Sequence, residues 1–375
     1  MSDNPFILEP YRSKDLFCDR ENELAQLMAH LENGRNVTMI SPRRLGKTGL
    51  IFRLFDEIKT TGAPYETVYA DISDTLSLED FIKVLSQAVA TQLKSQSKIL
   101  SFLKALKSIR PLLGVDPFSG MPQVSIAFAT NEQQQRTLED LLMFLENYPQ
   151  QVVVAIDEFQ QIREYEGLNM EAVLRKHIQH LHNVRFIYCG SKKHTMADMF
   201  TNAKSPFYES TVFLSLEKLS ETVYADFIKH QFERRGKSIG DEQVRYILEW
   251  TRDYTYYTQK VCNKVFEISA KQVRMEDVYS SISFILDSEK ERFLEIRRLI
   301  TRSQWKMLKA IASEGTVSQI TSSAFLTKYG IPSSSAALRN IKALTEKELV
   351  LAEPSGQNVT YSVYNVFLSR YLEQM

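Results

Sequence analysis

Cysteine is scarce in this chain: Cys18, Cys189 and Cys262 stand apart, without paired spacing. That excludes a disulfide framework and a zinc site built on cysteines, and it suits a reducing cytoplasm. Net charge is missing too. Forty-six Lys+Arg balance 46 Asp+Glu, a formal +0, so no global electrostatic partner is encoded. No apolar run approaches the length of a membrane span. Met1-Ser2-Asp3-Asn4-Pro5 lacks the basic and apolar regions of a signal peptide, so the expectation is a cytoplasmic protein with no membrane partner. Internal repeats and low-complexity tracts are absent as well. His177, His180 and His182 lie close together, but they are expected to decorate a helix face ahead of a strand at 185–188 rather than hold a metal.

What is present points to a globular protein of more than one domain. The chain has 375 residues, 43% hydrophobic and 25% charged, which is too long for one ordinary core and suggests two or three. The balanced charge is unevenly spread. Residues 290–375 hold 12 Lys/Arg against 7 Asp/Glu, a difference of +5, which leaves −5 elsewhere and gives the C-terminal part a mild bias towards an anionic partner.

Ser41-Pro42-Arg43-Arg44-Leu45-Gly46-Lys47-Thr48 reads as a phosphate-binding loop. An apolar run at 37–40 precedes it and suits a buried strand. Gly49 follows, and Leu50, Ile51, Leu54, Phe55 and Ile58 then share one helical face. In such a loop, backbone N–H groups and the positive end of the next helix face the phosphates. Lys47 is expected to reach the terminal phosphates, and Thr48 to hold Mg2+ through its hydroxyl. Ser41 stands where the usual pattern begins with glycine, so it must accept a backbone geometry that glycine adopts at less cost.

Residues 151–158 form a continuous apolar strand ending in Asp157 and Glu158. A strand without alternation is buried on both faces, as in a parallel sheet, and such sheets bind ligands at their C-terminal edge. Asp157 is expected beside the Thr48-bound Mg2+, and Glu158 is expected to orient or deprotonate an attacking water. The plainer reading of both carboxylates is a solvated acidic loop; the Lys47 loop favours the former.

Other segments fill in the order of elements. Residues 21–31 form an amphipathic helix through Leu24, Leu27, Met28 and Leu31. A strand at 66–72 and helices at 78–93 and 100–112 follow, with a break at Ser95-Gln96-Ser97. Pro111, Gly114, Pro117, Gly120 and Pro122 punctuate an inserted hairpin at about 110–128. Helices at 131–148 and 170–182 and strands at 184–190 and 211–214 complete an alternating series, which predicts a parallel α/β core. Ser191, just past the strand at 184–190, is expected beside a bound γ-phosphate.

From residue 220 the pattern is helical only, at 220–234, 240–251, 256–269 and 275–300. Three short helices at 303–313, 321–329 and 333–346 then precede two strands, 349–352 and 360–363, joined by Pro354-Ser355-Gly356. Three helices and a hairpin make a winged helix. The expected division is 1–216 as nucleotide core, 217–300 as helical lid and 301–375 as winged-helix domain.

Together these residues resemble the archaeal-type ATPases, a branch of the AAA+/STAND P-loop NTPases, from about Phe17 almost to the end. Phe17-Cys18-Asp19-Arg20-Glu21-Asn22-Glu23-Leu24 is similar to the family's F-x-G-R-x-x-E-L motif, which lies by the adenine; Asp19 replaces its glycine. Pro42-Arg43-Arg44-x-Gly46-Lys47-Thr48 is the family's form of the phosphate loop, and Gly190-Ser191-Lys192 looks like its sensor 1 element. Ser205-Pro206-Phe207-Tyr208 and Tyr256-Tyr257-Thr258-Gln259 resemble further landmarks. Arg252-Asp253-Tyr254-Thr255 stands where the family usually has Gly-Gly-x-Pro. Some relatives carry a nuclease-like C-terminal domain; none is expected here.

The resemblance implies a P-loop core with lid and winged helix, and a Mg2+-dependent ATPase whose nucleotide state controls both. It implies ATP and ADP as ligands, with Arg20 and the loop residues Ser41, Pro42, Arg43, Arg44, Leu45, Gly46, Lys47, Thr48 and Gly49 on the nucleotide. Thr48 and Asp157 would hold Mg2+, and Lys47, Glu158 and Ser191 would carry catalysis. No Asn-Lys-x-Asp guanine motif follows the fourth strand. Of Arg43 and Arg44, one is expected on phosphate and the other on a carboxylate, in either order. Arg175 is the candidate for an arginine acting in trans, its alternative being a surface arginine.

Two partner readings stand open. Arg339 and Lys342 lie on the third helix of the winged helix, where base contacts are made, with Arg297, Arg298 and Arg302 near for phosphates of duplex DNA. Against this, Ala336, Leu338, Ile341 and Leu344 give that helix an ordinary core face, and its charges are then simply solvated. The rival is a nucleotide-gated switch, with little or no turnover, that self-associates or binds a protein.

Overall fold

The computed structural model describes residues 4–93, 96–109, 111–117, 122–355 and 358–375. Ser95, Gly120 and Gly356, at the sequence-marked break and turns, lie outside the described residues. The chain forms two compact units, Glu9–Lys218 and a second made of Leu219–Met375 with the N-terminal segment up to Leu8.

The first unit runs α1 (Glu21–Glu32), β1 (Val37–Ile40), α2 (Lys47–Thr61), β2 (Tyr65–Asp71), α3 (Leu78–Gln92), α4 (Gln96–Ala105), β3 (Leu112–Val115), β4 (Pro122–Ser125), α5 (Asn131–Glu146), β5 (Gln151–Asp157), α6 (Met170–Ile178), β6 (Val184–Gly190), α7 (Lys193–Thr201) and β7 (Val212–Ser215). Five strands form one parallel sheet in the order β2-β5-β6-β1-β7. Alternate residues of β5 serve the two faces. Val153 and Ala155 join the apolar cluster of α1 and α2, whereas Val152, Val154 and Ile156 join that of α3 to α7. Leu50, Ile51 and Leu54 of α2 are fully buried, each contributing about 1.5–3 kcal/mol of apolar transfer. The inserted hairpin pairs β3 with β4, and Gln87 of α3 clamps β4 through Pro122 O (2.6 Å) and Val124 N (2.9 Å).

Two expected helices shift. The helix foreseen at 100–112 is α4, which ends at Ala105, and Leu112 opens a strand instead. Helix α6 stops at Ile178, so only His177 of the three histidines is helical. Among the described residues no group of three or more His, Cys, Asp or Glu is arranged to hold a metal ion. Helix α7 and the 3-10 turn Phe159–Glu164 were not foreseen.

The second unit contains α8 (Glu221–Glu233), α9 (Asp241–Thr251), α10 (Thr255–Ile268), α11 (Met275–Leu299), α12 (Arg302–Glu314), β8 (Thr316–Val317), α13 (Ser323–Lys328), α14 (Ser334–Glu346), β9 (Val350–Ser355), β10 (Asn358–Val363) and α15 (Val366–Glu373). Thr301 starts α12 with a capping box to Gln304, and Ser333 caps α14 through the Ala336 N–H. The small sheet has the order β8-β10-β9.

Helix α15 ties the winged helix to α9 and α10. Phe367 packs on Trp250 and Tyr257, with ring centroids 5.8 and 4.7 Å away. Arg370 donates to the carbonyls of Trp250 (2.9 Å) and Glu249 (3.1 Å), satisfying the C-terminal end of α9. Phe6 packs on Phe232 and Phe266, and the amide of Asn263 donates to Phe6 O (2.6 Å). Among the described residues no helix is long and apolar enough to cross a membrane.

Candidate functional site

Between β1 and α2 the chain turns sharply. Gly46 precedes α2 with φ 95, and Arg44 shares the left-handed region at φ 72. Ser41 is not among the residues of positive φ. It is fully buried, and its hydroxyl donates to Pro42 O at 3.1 Å. The geometric cost expected there is therefore absent, because the backbone at Ser41 does not use glycine's extra range. Gly49 does earn its place: a Cβ there would lie 2.6 Å from Pro10 O and 3.0 Å from a Phe17 ring carbon.

Lys47 is 7% exposed, and its Nζ donates to the carbonyls of Ser41 (2.8 Å) and Pro42 (3.2 Å). Burial pulls its pKa below the ordinary lysine value, while the negative charges of Asp157 and Glu158 oppose the shift. Asp157 closes the same corner. Its Oδ2 accepts from Thr48 Oγ1 at 2.7 Å and from the Tyr69 hydroxyl at 2.9 Å, and its Oδ1 accepts from the Glu158 N–H at 3.0 Å. Tyr69 reaches it because β2 runs beside β5 with Tyr69 opposite Ala155 and Asp71 opposite Asp157. Burial, then the Asp157 charge, raises the Tyr69 phenol pKa, so the phenol stays a donor.

Glu158 lies one residue beyond β5 with φ 54. Its Oε2 accepts from Ser191 Oγ at 2.8 Å and from Gln160 Nε2. Ser191 Oγ accepts in turn from Arg43 Nε at 3.0 Å. The strand order explains this chain: β6 lies between β1 and β5, so Ser191 falls between loop and carboxylate. Arg20, with φ 77, donates to Glu23 (2.6 Å), Glu217 O (2.6 Å) and Leu45 O (3.5 Å), which ties the motif at 17–24 to the phosphate loop. Sequence reasoning missed Tyr69 and Gln160. The period-2 placement of Tyr69 before the strand end, and a glutamine two residues past the second carboxylate, were the available signals.

The remaining residues lie elsewhere. Arg175 is half-buried on α6, and its charge acts on the buried Tyr188 phenol. In the second unit, Arg339 and Lys342 are exposed on α14, with Lys342 3.9 Å from Glu346. The buried face of α14 is Ala337, Ile341 and Leu344; Leu338, expected in that core, is 53% exposed beside Arg339.

A family described as an ATPase domain predominantly from Archaea matches residues 17–261, and a probable winged helix domain matches residues 291–374. The chain belongs to this archaeal ATPase family. No curated protein matches its sequence. Among solved structures it is similar to a Walker-type ATPase from Pyrococcus abyssi, at 18% identity and TM-score 0.66 over 98% of this chain and 99% of that one. It is also similar to the ORC1 protein of Aeropyrum pernix in complex with DNA (15%, TM-score 0.54, 99% and 96%) and to the ORC2 protein of that organism in ADPNP-ADP complexes (14%, TM-score 0.57, 95% and 92%). The shared fold is a P-loop ATPase sheet with flanking helices and a C-terminal winged helix.

Asp19, Arg252 and Asp253, at the positions where the resemblance leads one to expect glycine, have φ angles of 56, 54 and 57, in the left-handed region. Arg252 also donates through its guanidinium to Ser369 (2.9 Å) and Glu373 (3.3 Å) on α15. Ser205 receives a role as well, donating to Glu171, which also pairs with Arg163 at 2.5 Å.

Proposed function

We propose that this member of the archaeal ATPase family is a Mg2+-dependent ATP hydrolase whose nucleotide state acts on a helical lid (217–300) and a winged helix (301–375), with the nucleotide core lying within 1–216. The observation that carries the reading is the 2.7 Å contact between Thr48 and Asp157 beside the buried Lys47 ammonium. A hydroxyl and a carboxylate so paired fit Mg2+, which takes one or two protein oxygens and fills its other positions with water and phosphate. When bound, the ion neutralises charge on the phosphate oxygens.

In this reading Lys47 leaves the Ser41 and Pro42 carbonyls for the terminal phosphates. The backbone N–H groups of 43–49 line the phosphate chain and Arg20 braces the loop. Glu158 aligns the attacking water, and Ser191 and Arg43 meet the γ-phosphate. Arg175 is proposed as the arginine that acts on a neighbouring copy's site. Three buried free thiols, Cys18, Cys189 and Cys262, fit a cytoplasmic location.

DNA is the proposed partner of the winged helix. Leu338, Arg339 and Lys342 form an exposed face on α14, and a structural relative with DNA bound shares the fold. The test is steady-state ATP hydrolysis with Mg2+, with and without duplex DNA, for wild type, Lys47→Ala and Glu158→Gln. Loss in both variants, with ATP still bound by Glu158→Gln, supports the assignment. Wild type that binds ATP but never turns it over makes the chain a nucleotide-gated switch for a protein partner or a second copy.

A further inference from the structure

Gln160 touches the proposed water-aligning carboxylate yet has no role in the scheme above. It sits in the 3-10 turn Phe159–Glu164 and is 3% exposed. Its Nε2 donates to Glu158 Oε2, while its Oε1 is buried without a hydrogen-bond partner among the described residues. A half-satisfied buried amide destabilises a fold, so burial alone does not account for a glutamine here. Space is kept for it. A Cβ on Gly190 would meet Gln160 Oε1 and would lie 2.5 and 2.6 Å from Met196 Cγ and Sδ. The carboxylate it holds sits on a left-handed backbone at φ 54, a conformation that persists only where its surroundings fix it.

The two donors on Glu158 are not equivalent. A serine hydroxyl has one proton. Ser191 gives that proton to Glu158 Oε2, and a γ-phosphate oxygen beside Ser191 would compete for it. The Gln160 N–H is buried and faces no such competitor. We propose that Gln160 is the positioning residue that keeps the Glu158 carboxylate aligned on the attacking water once Ser191 turns to the terminal phosphate. The inference rests on the hydrolysis reading above.

Gln160→Met keeps the volume and removes the N–H; Gln160→Asn keeps the amide but draws it back by one methylene. Each should lower kcat about 10- to 100-fold, the scale of a misplaced reacting group. The KM for ATP and the Kd of a slowly hydrolysed ATP analogue should stay within about threefold, because no phosphate contact is removed. In single-turnover assays on the Glu158→Gln background, Gln160→Met should cause no further loss, since the residue acts only through that carboxylate. Equal kcat in wild type and both Gln160 variants, with Glu158→Gln inactive, would overturn the inference and leave the hydrolysis reading standing. A further loss on the Glu158→Gln background, or a weakened analogue Kd, would show a merely structural role. Wild type without turnover, with or without DNA, removes the hydrolysis reading and this inference together.

Discussion

The phosphate loop and the outer face of α14 hold their charges in opposite ways. Lys47 and Asp157 are buried and Glu158 is half-buried; Lys47 is held by the Ser41 and Pro42 carbonyls, and the two carboxylates are bound to Thr48, Tyr69, Gln160 and Ser191, with only Arg43 at the end of the hydrogen-bond chain exposed. On α14 both Arg339 and Lys342 are exposed, and the Lys342–Glu346 pair at 3.9 Å is 80% and 64% exposed. Solvated pairs of that kind are worth little, whereas removing one partner of a buried network leaves others unsatisfied. Function in the first region should therefore be brittle and local. In the second it should be graded, additive and sensitive to salt.

The sharpest way to break that comparison is at Lys47 and Glu158. Lys47→Ala should reduce ATP affinity, and Glu158→Gln should reduce kcat, by on the order of 100-fold or more. A variant that retains half of wild-type activity in a malachite-green assay would show that the buried network is not the site. Next comes α14. Arg339→Ala with Lys342→Ala, at the positions expected to meet bases, should weaken duplex DNA binding about tenfold and relax its sequence preference, whereas Arg297→Ala with Arg298→Ala should lower the slope of log K against log salt by about 1 per residue. Unchanged affinity of the Arg339 and Lys342 variant in fluorescence anisotropy would leave α14 without a DNA role. Tyr69→Phe removes one donor from Asp157 and should raise the Mg2+ concentration for half-maximal hydrolysis by about 3- to 10-fold; a flat Mg2+ titration argues that Tyr69 merely packs.

The smallest effect is expected at Asp19. A left-handed non-glycine residue costs about 1–2 kcal/mol, less for Asp, and glycine loses part of that gain to chain entropy. Asp19→Gly should thus raise stability by about 0.5 kcal/mol in urea melts, since Asp19 is exposed. A clear loss would mean that its carboxylate holds something in place.

Much of the first unit was legible because its signals are local. An apolar run into Gly46-Lys47-Thr48 fixes strand, loop and helix, and unbroken apolarity at 152–156 reports burial on both faces of β5. The closeness of Thr48 and Asp157 followed from both lying at the same sheet edge. Gln160 and Tyr69 were not legible in that way. Each acts through a cross-strand or turn contact, and its spacing in the sequence does not say which carboxylate it will reach. Leu338 shows the converse: helical spacing cannot say which side of α14 faces the core when Ala337 can fill it. Ser41 and Arg252 mark a third limit, because the residue type does not reveal whether the backbone still adopts the left-handed form.

The association of Phe6 with Phe232 and Phe266 also sets a timetable. During synthesis at roughly 5–20 residues per second, the segment around Phe6 waits roughly 10–50 s for its partners to leave the ribosome. The whole α/β unit, Glu9–Lys218, is made within that wait. The segment around Phe6, made before the α/β unit, thus settles only after that unit is complete, and a nascent-chain probe at Phe6 would register completion of the helical unit.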